Sequence, residues 1–591
     1  MGKIDPADWF LPQRQMARSP AFTSGNAVKA LIDGKAYMDD LAEKLDGMVE
    51  GDYLYISGWR ISPGMKLQPD KPGNRNLIAL VTDLVKRKVT VKSMVWFLPN
   101  IKLVHAPFRK GYYMMQFLLG QKKELAQQNE NLAFSMLIHE YGVSNPKTDA
   151  ILDSRLRPNT VSSHHQKHVL LKSGNQHHAY VGGIDLSVDR WDTPDHDSPR
   201  HREKEWLDAW HDAQCRVTGP AVRQVFEQFA QRWNVPGPGN DAYLPTAAAP
   251  EPIRSLLPPA NGNFGTVNVQ VLRTLVCGKV YPFAPDGEQS VRAAYELAIK
   301  RAKHFIYIED QYFWPCSLIR LLAEKAKQEV KIILVLAKDY DVPSGALKSA
   351  HQEMRWESIE IVARSAPGNM YVFHLEQKGN RKQIYVHSKL MIVDDCFVSI
   401  GSANINNRSH TNDSELQLSM IDDDQLEIPM GNGKATVCRF AHELRKQLWG
   451  EHLGISNLDE LANPIASLTR FPNRNHGSFR RPSKIHHIAW HYREPSTQIS
   501  DPEVIEVIFR FQDAIPKSWE DYGKLHRVAE LAEPLDALGF LGYSVQMLSE
   551  ESKLIVNTIM NSIFKVLSKI KLVRLAIKLL KEVVMNPNTT C

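Results

Sequence analysis

Two short runs of this chain carry residue types suited to phosphoryl chemistry. One is His165-Gln166-Lys167, trailed by Gly182-Gly183-Ile184-Asp185. The other is His387-Ser388-Lys389, followed by Asp394 and then Gly401-Ser402-Ala403-Asn404. A histidine two residues before a lysine on a β-prone run puts both side chains on one strand face, because strand side chains alternate. A phosphodiester needs in-line attack on phosphorus, a proton for the departing alcohol and neutralisation of its anionic oxygens. Two imidazoles can share the first two tasks, and two ammonium groups with nearby amides can do the third without a metal. A single His-x-Lys is most often coincidence. Two of them, each with a Gly-rich turn at a similar offset, point to two half-sites converging on one phosphate.

The elements that must position these runs also repeat. Residues 52–59 and 303–313 are β-branched and aromatic, each preceded by a helix-like periodic segment, 26–50 and 289–302. Each half then adds a further apolar strand, Val89–Trp96 and Val330–Leu336. His165 and His387 lie 222 residues apart, a domain-sized period that indicates a duplicated fold. Strands alternating with helices argue for an α/β protein: two pseudo-symmetric lobes with mainly parallel or mixed sheets flanked by helices. The expected boundaries are an N-terminal segment (1–25), a first lobe (26–234), a Pro-rich linker (235–265), a second lobe (266–462), a Pro/Arg-rich linker (463–502) and a helical C-terminal extension (503–591). In the extension, Val566, Ile570, Val573, Ile577, Leu580 and Val584 form an apolar stripe flanked by Lys571, Arg574, Lys578 and Lys581. It reads as a helix packing on its own protein or a partner, with a basic membrane-surface helix as the alternative.

Composition narrows the class. A chain of 591 residues is too long for one core, and 43% hydrophobic content is that of a globular protein. A net charge of +6 is thin for a nucleic-acid-binding stripe but compatible with anionic phosphates or a membrane surface. The cysteines at 215, 277, 316, 396, 438 and 591 show neither metal-ligand spacing nor a small disulfide framework, so reduced thiols and no metal are expected. Residues 1–51 contain no apolar signal core, and no 18-residue apolar run occurs anywhere. Neither a Sec-type signal nor a spanning helix is expected, which suits a soluble or peripheral protein.

The paired motifs resemble the phospholipase D superfamily, whose members carry two copies of His-x-Lys-x4-Asp. The second copy here, His387, Lys389 and Asp394, is a full match. The run Asn404-Ile405-Asn406-Asn407-Arg408-Ser409 resembles the eukaryotic-type branch, as do His164-His165-Gln166-Lys167, Arg190-Trp191-Asp192-Thr193, Trp210-His211-Asp212, Gly219-Pro220-Ala221-Val222 and Glu309-Asp310-Gln311-Tyr312-Phe313. The likeness covers roughly residues 25–455. It departs at Lys172, where the first motif should have aspartate.

The resemblance implies two α/β lobes with the active site at their seam, and a ping-pong mechanism without a cofactor. By that analogy His165 attacks phosphorus and His387 serves as acid and base, with the reverse assignment also open. Lys167 and Lys389 hold phosphoryl oxygens, while Gly183, Asp185, Ser402 and Asn404 sit on turns beside the substrate. Each histidine needs a carboxylate on its other nitrogen. Asp212 is the candidate for His165; Glu415, with Asp413 as runner-up, is the candidate for His387. Asp394 is expected at the catalytic group or tying its strand to the following turn. The function implied is phospholipase D hydrolysis of glycerophospholipids at a membrane surface, with transphosphatidylation. Nucleic acid is not an expected partner. A nuclease of the same superfamily and a catalytically weakened lipid- or partner-binding effector are the rivals. A compact chain with a private helical tail and no secretion signal also fits a bacterial effector delivered by a specialised secretion machine, with that machine or a membrane meeting the C-terminal helices.

Overall fold

The computed structural model describes residues 3–471 and 485–487, apart from 14–19, 98–121, 143–146, 156–162, 198–208, 236–251, 254–257, 260–261, 277–279, 315, 339–345, 378–382 and 412. The expected helical extension, 503–591, and most of the first linker lie outside the described residues.

The first half builds one mixed sheet from β1 (Thr23–Ile32), β2 (Tyr53–Gly58), β3 (Thr90–Trp96), β4 (Asp149–Asp153), β5 (His168–Ser173), β6 (Gln176–Gly182) and β8 (Ala213–Thr218), with the short β7 (Ala209–His211) just before β8. β2 pairs parallel with β3, and β3 with β4. β2 pairs antiparallel with β5, and the antiparallel run continues through β6 and β8 to β1. The second half repeats this order with β9 (Val267–Leu275), the two-residue β10 (Glu288–Gln289), β11 (Phe305–Asp310), β12 (Lys331–Leu336), β13 (Met370–Glu376), β14 (Gln383–Val386), β15 (Leu390–Val393), β16 (Phe397–Gly401) and β17 (Glu415–Asp422). There β11, β12 and β13 pair parallel, while β11, β15, β16, β17 and β9 run antiparallel. The chain is therefore α/β, with two sheets of matching topology.

The central strands β2 and β11 are buried along their whole length, as expected for apolar strands covered on both faces. Amphipathic helices cover them: Ala221–Trp233 buries Phe226 and Phe229 against Tyr53 and Tyr55, and Ser290–Arg301 buries Val291, Ala294 and Ala298. Among the described residues three backbone junctions join the halves. β1 pairs antiparallel with β9, β7 pairs parallel with β14, setting His211 opposite Val386, and His164 bridges Ser414 in parallel. The last two carry the site.

One finding differs from the sequence expectation and two add to it. The 26–50 segment is not one helix: β1 runs to Ile32, Asp33 takes a left-handed φ of 64°, and the helix is Asp33–Asp46. The N-terminal residues brace the second half. Ile4 and Gln425 exchange two hydrogen bonds, and Trp9 stacks on Phe397. Within 463–502, Pro464–Ser467 forms a helical turn, and Ile485–His487 adds an antiparallel strand to β13.

Candidate active site

Both His-x-Lys runs form extended lead-ins to a strand, β5 in one half and β15 in the other, and each is fixed from the opposite half. The His165 amide donates to the Ser414 carbonyl (3.0 Å), and the His387 amide donates to the His211 carbonyl (2.8 Å). The carboxylates cross in the same way. His165 Nδ1 lies 3.0 Å from Glu415 Oε1, and His387 Nδ1 lies 2.6 Å from Asp212 Oδ2. This reverses the expected pairing. Asp212 precedes β8 of the first half and Glu415 opens β17 of the second, so each carboxylate faces its own sheet end. The β7–β14 junction brings His387 to Asp212, and the parallel His164–Ser414 bridge brings His165 to Glu415. Asp413, the runner-up, instead accepts from the Ser163 amide and pairs with Arg408.

The surroundings fix the proton positions. His165 Nδ1 is also 3.0 Å from the Ser402 carbonyl, which can only accept, so Nδ1 carries the proton and Nε2 presents its lone pair. Burial, then the charges of Lys167 and Lys389, hold His165 well below the usual histidine range. Burial, Lys389, Arg190 and Lys167 do the same to His387, which also feels His165. Both lysines act on both imidazoles, so the half-sites form one electrostatic unit. The histidine side chains keep 14% and 8% exposure while Glu415 and Asp212 have none, so substrate reaches the imidazoles but not their carboxylates. Burial pushes both Asp212 and Glu415 up to about 7.

The lysines are held alike. Lys167 Nζ donates to the His165 carbonyl and lies 3.1 Å from Asp185. Lys389 Nζ donates to the His387 carbonyl. Burial brings Lys389 down to about 8, with Asp212 and Asp310 opposing.

Other expected site residues act at one remove. Ser402 Oγ donates to Glu415 Oε2 (2.5 Å) and accepts from the Leu416 amide, so it orients the carboxylate and not the substrate. A Cβ on Gly183 would stand 2.1 Å from Asp212 Oδ1, so that glycine makes room for the carboxylate. Asp185 Oδ1 accepts from the Trp59 and Arg60 amides, and Asn404 Oδ1 accepts from Gln311 Nε2. Asp394 is not at the site. Its carboxylate caps the amides of Lys303, His304 and Phe305, and it sits five residues past Lys389, about 16 Å along an extended strand. Lys172 holds the matching place in the first half and pairs with Asp52 at 2.9 Å, so the departure from the motif lies at the far end of the sheet.

Sequence reasoning left several contributors without a role. Trp210 packs against His387 (4.8 Å between centroids), stacks on Tyr385 and donates weakly to Asp212. The Arg190 guanidinium lies 3.7 Å over the Trp210 ring. Both lie in motifs quoted above, Arg190-Trp191-Asp192-Thr193 and Trp210-His211-Asp212. Behind Asp212, the donor atoms of Asp33, His196, His211 and Glu451 lie within 4.8 Å of one another, a set that could hold a divalent cation. Burial opposes it, but Asp33, Asp192 and Glu451 push His196 up to about 9. Local spacing could not reveal this cluster, because its members come from four distant segments.

The phospholipase D family model matches residues 50–338 and 352–470. The chain belongs to the phospholipase D family. It is 25% identical over 528 residues to phospholipase D alpha 3 of Arabidopsis thaliana, covering 70% of this chain and 63% of that protein. It is also 25% identical over 539 residues to phospholipase D1 of Saccharomyces cerevisiae, covering 76% and 30%. The chain thus spans less than two thirds of the length of these relatives. A solved phosphatidylserine synthase from Haemophilus influenzae Rd KW20 aligns over 83% of this chain and 94% of its own, at 11% identity and a TM-score of 0.46. Among the described residues, no helix is long and apolar enough to cross a membrane.

Proposed function

We propose that the chain hydrolyses glycerophospholipid head-group phosphodiesters, giving phosphatidic acid and a free alcohol through a phosphohistidine. The observation that carries this reading is the pair of acceptors around His165 Nδ1, which leaves Nε2 as a lone-pair donor beside two lysines. In the proposed reaction His165 Nε2 attacks phosphorus, and the bond from phosphorus to the head-group oxygen breaks. That oxygen takes the proton of His387 Nε2. The substrate's negative charge offsets the lysines that otherwise keep His387 neutral, and Asp212 supports the imidazolium. His387 then deprotonates a water, which attacks phosphorus and releases His165. Lys167 and Lys389 balance the charge on the phosphoryl oxygens throughout. A primary alcohol replacing that water gives a phosphatidylalcohol.

The test is head-group release from a panel of common phospholipid vesicles, with ethanol present, comparing wild type with His165→Ala and His387→Ala. Phosphatidic acid and phosphatidylethanol from wild type alone are expected. Their absence across the panel sinks the proposal. Turnover that survives either substitution removes the phosphohistidine mechanism.

A further inference from the structure

The near-twofold relation between the halves gives each active-site position an internal counterpart, and at one pair of positions the halves differ in an ordered way. Positions 185 and 404 are equivalent, each two residues past the turn residue Gly183 or Ser402. Positions 58 and 310 are equivalent as the last residues of β2 and β11. In the first half the carboxylate is at 185. Asp185 Oδ1 accepts from the Trp59 and Arg60 amides, the Asp185–Lys167 distance is 3.1 Å, and position 58 is glycine, where a Cβ would lie only 3.2 Å from Asp185 Oδ1. In the second half position 404 carries an uncharged amide, and the carboxylate stands at 310. Asp310 Oδ1 accepts from the Tyr312 amide (2.8 Å), and Oδ2 accepts from the Ile405 amide (2.9 Å), next to Asn404. Asp310 has no exposed surface. Each half therefore buries one carboxylate that bridges the same two turns and faces the half's lysine, but from opposite turns.

We propose that Asp310 is the positioning residue of the second half-site, supplying through the β11 turn the counter-charge to Lys389 that position 404 lacks. The inference rests on the reading that Lys389 holds a phosphoryl oxygen. Asp310 acts on Lys389 through its charge and on Asn404 through the Ile405 amide. A fully buried carboxylate taking two N–H bonds and facing an ammonium is more than a turn staple, for which an uncharged acceptor is enough. The groups facing Lys389 are Asp212 from the turn before β8, Asp310 from β11, Glu415 from β17, Lys167 and His165 from the other half-site and His387 from its own run. Burial pushes Asp310 up to about 7 against the pull of Lys389 and its N–H donors, so it is an anion where Lys389 titrates, at about 8.

The experiment exchanges the two groups. Asp310→Asn should lower kcat on phosphatidylcholine vesicles roughly tenfold with KM unchanged. It should also move the alkaline limb of the rate profile down by about one pH unit, because an ammonium without its anion loses its proton sooner. The double variant Asp310→Asn/Asn404→Asp moves the carboxylate to the turn that carries it in the first half, keeping a side chain at 310, and should return kcat to within about threefold of wild type, with the limb restored. Asn404→Asp alone should move the limb upward, which keeps the proposal testable if Asp310→Asn fails to fold. Inorganic phosphate affinity, measured calorimetrically from pH 6 to 9 on the same proteins, follows the same order without lipid turnover. Should wild type hydrolyse no lipid, the proposed function falls while the phosphate titration still decides the role of Asp310. Folded variants whose limbs and phosphate titrations all coincide with wild type, or a double variant no better than Asp310→Asn, overturn it.

Discussion

Substituting Gly183 by alanine tests the crossed carboxylates with a single methyl group. The new Cβ would stand 2.1 Å from Asp212 Oδ1, 2.9 Å from Cγ and 3.0 Å from Oδ2. Ordinary contact for such atoms is about 3.5 Å, so the carboxylate must retreat by more than about 1 Å. It cannot do so freely, because Oδ1 accepts from the Ala213 amide (2.8 Å) and Oδ2 holds His387 at 2.6 Å. The short bond to His387 is the one that yields, since the amide is fixed in the sheet. Losing the carboxylate that orients a catalytic imidazole costs on the order of 10²–10⁴ in kcat, or about 3–5 kcal/mol of barrier. The assay is steady-state head-group release with KM measured alongside, plus a thermal melt. We expect KM to stay within about threefold and stability to fall by less than about 2 kcal/mol. The neighbouring Gly182→Ala is the contrast, because its Cβ would meet the Ala213 carbonyl at 2.4 Å and Gln214 Oε1 at 2.2 Å, so it should impair folding itself. A folded Gly183→Ala protein with wild-type kcat would falsify the claim that Asp212 serves His387.

Other outcomes follow from the same geometry. Activity should fall above about pH 8 as Lys389, charged below that value, loses its proton, and kcat/KM against pH shows the limb. Lys172→Asp, which restores the expected motif residue but puts two carboxylates together at Asp52, should leave kcat within about twofold and lower stability by about 1–2 kcal/mol in urea denaturation. Asp395→Ala strands Arg445 and His442 in the core and should cost about 3–5 kcal/mol. Burial works against Asp395, but Arg445 and His442 hold its folded carboxyl below the unfolded value. Its contribution is therefore present above the unfolded pKa and lost as pH falls through the folded one, so wild type and variant should converge in stability toward strong acid.

The duplicated α/β plan was legible in the sequence because it rests on local patterns. β2 and β11 are largely apolar runs, and the His-x-Lys motifs sit at similar offsets from Gly turns. The carboxylate pairing was not legible. Asp212 follows His165 and Glu415 follows His387, so nearness in sequence suggested partners within one half, whereas the β7–β14 pairing and the His164–Ser414 bridge across the seam decide the contacts. The 26–50 segment misled because Asn26–Ile32 has an apolar pattern that a strand and a helix share, and the left-handed Asp33 between strand and helix leaves no local mark. Asp394 belongs to its motif by position, yet its carboxylate is consumed by three amides at the start of β11.

Because each imidazole borrows its acid from the opposite lobe, neither half can retain a fraction of the chemistry when the seam opens. Loss of one contact across β7 and β14 withdraws Asp212 from His387, and the same separation withdraws Glu415 from His165. Turnover is thus an all-or-none report on lobe docking. On heating, activity should vanish when the lobes part, even while each sheet still holds its own amides against exchange.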